Sequence, residues 1–519
     1  MSEVVWRAAG GAGGSRRWPD PRPRTDNVFG RQRLGGIAAE SAGRDRTNAM
    51  FERLDPITGA IASRAAAMRR REAVAAANRA ARAFPGWSAS LPQDRRRILN
   101  RAAGLIEDHA ADIADAMQAE IGATGHWVRF SLDLGRRHLE AAADLVTHLS
   151  GGVSPDAESL SLSLREPVGV CLAMAPWNAP LVLGLRSIAT ALACGNTVVM
   201  KASEICPASH LLIGRLLDEA GLPEGALNIV THAPEHAEEV VEALIGHPAV
   251  RRVNFTGSTR VGRIVAEVAA RHLKRCLLEL GSKAPLIVLE DADLDAAADA
   301  ATFGAFLNQG QICMATDRIV VLDGVADAFA EKLALRARRL VAGDPRRGHV
   351  LGPLVSASVA QRLTDLLYDA LDRGATLLAG GEPRGNLMDA TVLDHVAPGM
   401  AIHAEECFGP VATICRASTE DEAIGIANDT HYGLTAAIFS RDTGRALSLA
   451  RRLETGICHI NGPTVNDRPD LPFGGVKDSG YGRFGGPAML DEFTELRRVT
   501  IATGPRDYPF LTERLQDLP

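Results

Sequence analysis

RRVNFTGSTRVGRIVAEVAA, residues 251–270, carries an apolar strand through Phe255 into an amphipathic helix, with only Gly257 and Ser258 at the junction. Such a helix start leaves backbone N–H groups free, so a phosphate can sit there with the serine hydroxyl as an added donor. An ordinary N-cap has the same sequence, and the turn alone does not separate the two. Working outward, the neighbouring segments VGVCLAMAP, NTVVMKAS, LNIVTH, CLLELGS and PLIVLED are apolar runs separated by helical stretches. That alternation predicts a parallel sheet covered by helices on both faces. A second series begins near Asp291 and runs through RIVVLDG, ATLLAGG, VATICRAS, LTAAIFS and GICHINGP. Two α/β lobes with a ligand cleft between them are therefore expected.

Long helices precede the first series: from about Arg70 to Gly122, residues Ile98, Leu99, Ala102, Leu105, Ile106 and Ile113 fall at three- and four-residue spacings. The chain of 519 residues is too long for one core and predicts two or three lobes. With 46% hydrophobic and 23% charged residues it reads as an ordinary soluble protein, and no apolar run is long enough to span a membrane. A net charge of −6 without a long basic run beyond the N-terminus gives no footprint for nucleic acid. Eight scattered cysteines with no CxxC pair predict neither a disulfide framework nor a zinc ribbon, so a reducing cytoplasm is the expected location and no metal is expected. Residues 1–32, rich in Gly, Arg and Pro and lacking the apolar core of a secretory signal, read as a disordered tail.

Two motifs match patterns without the right context. GYGRFG, 480–485, fits GxGxxG, yet a loop precedes it where a strand is required. HAPEH, 232–236, fits a zinc pattern that needs one continuous helix, and Pro234 interrupts it. A better nucleotide site lies in GNTVVMKASEICP, where a strand ends at Lys201 and Glu204 follows in the loop. A lysine and a carboxylate there can grip ribose hydroxyls, and the carboxylate repels a 2′-phosphate; an exposed strand end with a capping glutamate is the alternative. In NQGQICMATDR, 308–318, Cys313 lies between a glycine-broken helix end and a β-branched run, either a buried small hydrophobe or a nucleophile.

PWNAP (176–180), GNTVVMKASE (195–204), FTGS (255–258), LELGSKAP (278–285), NQGQICMATDR, EECFGP (405–410) and PFGGVKDSGYG (472–482) resemble, in order, the signatures of the aldehyde dehydrogenase superfamily. The resemblance runs from about Phe51 to about Ile501. NAPLVLGLR, KASEICP, GQICMATDR and GICHINGPTV are similar in particular to the salicylaldehyde, vanillin and benzaldehyde dehydrogenases.

By this resemblance Cys313 is the nucleophile, Glu279 the general base, and the Asn178 amide forms the oxyanion hole with the Cys313 backbone N–H. Because a free thiol is mostly protonated at neutral pH, such a cysteine needs a base or oriented donors. Attack on an aldehyde gives a thiohemiacetal, then a thioester that water cleaves to the acid. The resemblance places Lys201 and Glu204 on the adenosine ribose, Gly257 and Ser258 at the pyrophosphate, Trp177 along the site, and Glu406 and Phe408 at the nicotinamide ribose and ring. Glu204 favours NAD, with NADP as the alternative cofactor. Substrate candidates are Ala179, Leu183, Ile312, Met314 and Phe473; Arg186 either faces the substrate channel, where it would favour a phenolic or carboxylate-bearing ring, or is an ordinary surface arginine on that helix. The implied substrate is an aromatic aldehyde. A semialdehyde or aliphatic aldehyde is the first alternative, and a cysteine hydrolase or inactive homologue the remote one.

The resemblance implies a Rossmann-like cofactor domain (33–149 and 166–280), an α/β catalytic domain (281–488) and a small β oligomerisation extension (150–165 and 489–505) that joins a homodimer or homotetramer. Two positions depart from the family pattern. Ser282 replaces a glycine and requires an ordinary φ there. Ser187 stands where many members carry a lysine, with Arg186 just before it.

Overall fold

The strand Val170–Met174, buried along its whole length, organises the first sheet. The computed structural model describes residues 49–155, 159–504 and 508, and the expected tail over 1–32 lies outside them. Thr197–Lys201 and then Leu227–Val230 add in parallel on one side of Val170–Met174, and Val250–Thr256 and Arg275–Glu279 add in parallel on the other. The strand order therefore reverses between Val170–Met174 and Val250–Thr256, and a crevice opens beyond their carboxyl ends. Trp177 and Asn178 follow the first of these strands, and Gly257 and Ser258 follow the second.

Among the described residues the second sheet has seven strands, six running as Thr391–Asp394, Val411–Ala417, Arg318–Leu322, Pro285–Val288, Thr435–Phe439 and Ile457–Ile460, all parallel, with Thr376–Ala379 antiparallel at the edge. The PLIVLED strand, read from the sequence with the first series, belongs here. Both sheets use the same continuous apolar strands, so hydrophobicity cannot assign Pro285–Val288 to either. Conversely, Gly480–Tyr481 falls within the 281–488 range expected for the catalytic domain yet closes the first sheet, antiparallel to Arg275–Glu279.

Helix Pro180–Ala193 is buried at every position and begins directly after Asn178 and Ala179. Helix Gly125–Leu145 crosses it at Gly135, where an added methyl would meet Leu181 and Leu185 at 3.2 Å. Thr494–Ala502, Ser159–Pro167 and Gly152–Pro155 form a separate antiparallel sheet. Among the described residues no helix is long and apolar enough to cross a membrane.

Candidate active site

The site lies where carboxyl ends of the first sheet face amino ends of the second. Lys201 and Glu279 terminate first-sheet strands. The loop that leaves Glu279 and the loops carrying Cys313 and Glu406 then feed three adjacent second-sheet strands, Pro285–Val288, Arg318–Leu322 and Val411–Ala417. Glu279 thus belongs to both lobes, leaving one sheet just before the chain enters the other.

The Cys313 loop is backbone under strain. Asn308, Gln309 and Gly310 have φ of 48°, 56° and 65°, a left-handed run in which only the glycine is at ease. A Cβ on Gly310 would lie 2.1 Å from the Gly409 carbonyl oxygen, so the Cys313 and Glu406–Phe408 loops touch through bare backbone. The rest of the loop is fastened by hydrogen bonds. Asn178 Nδ2 donates to the Gln311 carbonyl at 2.9 Å, while the Asn178 carbonyl accepts from Trp127 Nε1 at 2.9 Å and Asn308 Nδ2 at 3.1 Å. One Asn178 N–H remains for a ligand, because an amide nitrogen carries two. The Cys313 N–H donates to no group among the described residues.

Cys313 is partly exposed. Burial of the sulfur and the nearby Glu279 charge hold its thiol well above the usual range, with the Arg186 cation opposing them. Glu279 is 1% exposed; Oε2 accepts from Arg186 Nη2 at 2.6 Å, and Oε1 has no hydrogen-bond partner. Ala179, Leu183, Ile312, Met314 and Phe473 are all buried in one apolar cluster, against which Cys313, Trp177 and Phe130 pack.

The expectation that Arg186 faces the substrate channel is corrected. Its guanidinium is buried, ion-paired with Glu279, and stacked between the rings of Phe473 and Phe484, each 4.6 Å away. A buried guanidinium is stable only where charge and aromatic faces replace water, and those partners sit inward. Ser187 donates to the Gly184 carbonyl of its own helix at 2.7 Å and so does not reach the site.

In the crevice, Ser258 caps helix Thr259–Arg271, accepting from the Val261 N–H at 3.4 Å. Gly257 keeps the turn close, since a Cβ would fall 2.5 Å from the Phe255 ring. Lys201 Nζ lies 3.5 Å from Glu204 Oε2, and His232 Nε2, buried and without a hydrogen bond, is 3.8 Å from the same oxygen. Burial raises the Glu204 carboxyl, but Lys201, His232 and a backbone N–H together outweigh it and the net direction is down; burial with Lys201 pushes His232 down to about 4. Trp177 and Phe408 meet edge to face at 5.8 Å. Glu406 Oε1 accepts from the Ser282 N–H at 2.8 Å, and burial pushes its carboxyl up to about 8. Ser282 has no positive φ, as a serine there requires.

The two rejected motifs have other uses. GYGRFG supplies the edge strand Gly480–Tyr481 and the Phe484 ring against Arg186. His232 precedes the short turn Pro234–His236, and helix Ala237–Gly246 starts only after it. Among the described residues no cluster of His, Cys, Asp or Glu side chains could hold a metal.

Sequence reasoning missed Trp127, Asn308, Gln311, Phe484 and Asp467. Asp467 is buried, with Oδ2 3.4 Å from His138 Nε2 and 4.0 Å from Arg186 Nη1. Only the amphipathic pattern of helix Gly125–Leu145 could have drawn attention to Trp127; the others sit in loops with no periodicity to read.

Residues 44–499 match the model of the aldehyde dehydrogenase family. A vanillin dehydrogenase from Pseudomonas fluorescens is 52% identical over 467 residues, 89% of this chain and 97% of its own. A salicylaldehyde dehydrogenase from Pseudomonas putida is 46% identical over 464 residues, 89% of this chain and 96% of its own. The crystal structure of a salicylaldehyde dehydrogenase from Pseudomonas putida G7, complexed with salicylaldehyde, superposes with a TM-score of 0.88 at 46% identity, covering 89% of this chain and 96% of that one. The chain is a member of the aldehyde dehydrogenase family, an oxidoreductase acting on aldehydes.

Proposed function

We propose that this aldehyde dehydrogenase oxidises an aromatic aldehyde to its carboxylic acid with NAD, through a thioester on Cys313. The convergence of Cys313, Glu279 and Asn178 beside an apolar cluster carries this reading. Glu279 Oε1 is the free oxygen that takes the thiol proton as sulfur adds to the aldehyde carbon, which offsets the high proton affinity of the thiol. The second Asn178 N–H and the Cys313 N–H donate to the oxygen on which charge develops. The nicotinamide cofactor supplies the acceptor for the hydrogen that leaves carbon with its electron pair. Once Glu279 has released the thiol proton to solvent, it removes a proton from water as the water oxygen adds to the thioester carbon; the C–S bond breaks, that proton passes from Glu279 to the departing sulfur, and the acid leaves with the thiol restored.

The donor set fits a dinucleotide. A capped helix start at the switch point suits pyrophosphate, the Lys201–Glu204 pair suits ribose hydroxyls, and the Trp177–Phe408 pair with Glu406 suits the nicotinamide half. The Glu204 carboxylate, ionised beside Lys201, disfavours a 2′-phosphate and supports NAD over NADP. An aromatic substrate is supported by the buried apolar candidates and by the relatives named above. The commitment of Arg186 to Glu279 leaves it unavailable to a semialdehyde carboxylate. Self-association through the three-stranded sheet, which exposes Val153, Leu496 and Ile501, completes the reading.

Reduction of NAD by the purified protein is to be followed with salicylaldehyde, vanillin, benzaldehyde, succinic semialdehyde and a straight-chain aldehyde, each beside Cys313→Ala. The expected result is a higher kcat/KM for ring substrates and none in the variant. Preference for the semialdehyde or the straight chain refutes the aromatic assignment.

A further inference from the structure

We propose that Arg186 is the positioning residue for the general base, fixing the Glu279 carboxylate so that one oxygen is anchored and the other is held free toward the reacting centre. The inference rests on reading Glu279 as that base. A lone glutamate on a flexible stem samples several rotamers, and a base must lie within hydrogen-bond reach of its proton. Here Arg186 Nη2 binds Glu279 Oε2 at 2.6 Å, leaving Oε1 buried without a partner. A buried polar oxygen without a donor is costly in a structural ion pair, whereas in a base it is the atom that receives the proton.

Arg186 is itself over-determined. Two aromatic faces sandwich it, Nη2 also reaches Thr256 Oγ1 at 3.3 Å, and Asp467 stands 4.0 Å from Nη1. His138 faces Asp467 from helix Gly125–Leu145. Burial works against the Asp467 carboxylate, but His138 and the Arg186 charge keep its carboxyl below the ordinary range. The guanidinium therefore has an anionic neighbour on each side and cannot swing toward substrate without abandoning both. A residue acting only in packing needs no second carboxylate and no bond to the base.

The test is a double-mutant cycle on the full-length protein, with an aromatic aldehyde and NAD. Arg186→Ala is expected to lower kcat at least about 10-fold, within the range general-base catalysis supplies, while KM for the aldehyde changes less than about threefold. Guanidinium chloride at a non-denaturing concentration is expected to restore part of kcat, and Arg186→Lys to fall between wild type and Ala. In a Glu279→Gln background the same substitution is expected to cost less than about threefold, because residues acting through one group are not additive. A rise in KM at constant kcat, full additivity in the cycle, or no loss at all overturns the proposal. If the alanine variant does not fold, the same cycle with Arg186→Lys and Arg186→Gln decides it. Absence of aldehyde turnover in the wild type overturns the general-base reading itself, whereas turnover with additive losses overturns only the role of Arg186.

Discussion

The crevice around Ser258 and the loop around Cys313 lie in the same site but are built in opposite ways. The crevice is ordinary structure: a strand, a two-residue turn and a capped helix whose free N–H groups suit an anion by default. The Cys313 loop departs from ordinary structure, with three successive left-handed residues, the last of them a glycine pressed on another backbone. Binding can rest on fold geometry, whereas chemistry here needs groups held where no local preference would place them. Substitutions should therefore be severe in the loop and graded in the crevice.

The largest effect is expected in the loop. If Asn178 is the oxyanion donor proposed above, Asn178→Ala should lower kcat about 10²- to 10³-fold, with NAD affinity unchanged in a fluorescence titration. Equal losses in affinity and kcat would place Asn178 in the crevice instead.

Gly310→Ala forces a methyl onto the Gly409 carbonyl in left-handed backbone and should destabilise the fold by about 3 kcal/mol or more, read by urea unfolding. Gly221→Ala, with φ of 94° but open space around it, should cost about 1 kcal/mol. Similar costs at both positions would remove the claim that the loop is specially constrained.

Effects in the crevice should be smaller. Ser258→Ala should cost about 1 kcal/mol of stability through the lost cap and leave kcat nearly intact. The pH dependence should separate the two regions as well. Burial holds the Glu406 carboxyl up at about 8, and in the proposed role, accepting two ribose hydroxyls, it must release that proton. NAD binding should therefore tighten as pH rises toward 8, with the slope absent in Glu406→Gln. Unfolding restores an ordinary carboxyl, so native Glu406 holds the extra proton and its contribution to stability falls as pH rises from about 4.5 to about 8. In the loop, alkylation of Cys313 in the free protein should keep accelerating above pH 9; a plateau below pH 8 would show a pre-formed thiolate.

The same division decided what the sequence revealed. Strand and helix periodicity marked both lobes, and the ends of those strands marked Lys201, Glu204, Gly257 and Ser258, because crevice geometry follows from local order. Cys313 stood out only as a cysteine in an odd place; its role came from resemblance. Arg186 misled because its helix is buried on all sides, so periodicity gave it no direction, and its partners Glu279, Phe473 and Phe484 are remote in sequence. Asp467 and Asn308 sit in loops where only tertiary contacts assign a role. Pro285–Val288 was placed in the wrong series since parallel strands of either sheet read alike.

In the proposed reaction Cys313 carries the acyl group and Glu279 releases it. Intact-mass and peptide analysis of Glu279→Gln, mixed with NAD and salicylaldehyde above pH 9, where thiolate forms without the carboxylate, and then quenched, separates attack from release. One acyl adduct per chain is expected on the peptide containing Cys313, absent from Cys313→Ala and from the wild type at the end of turnover. No adduct in Glu279→Gln while that variant still reduces NAD would contradict that reaction.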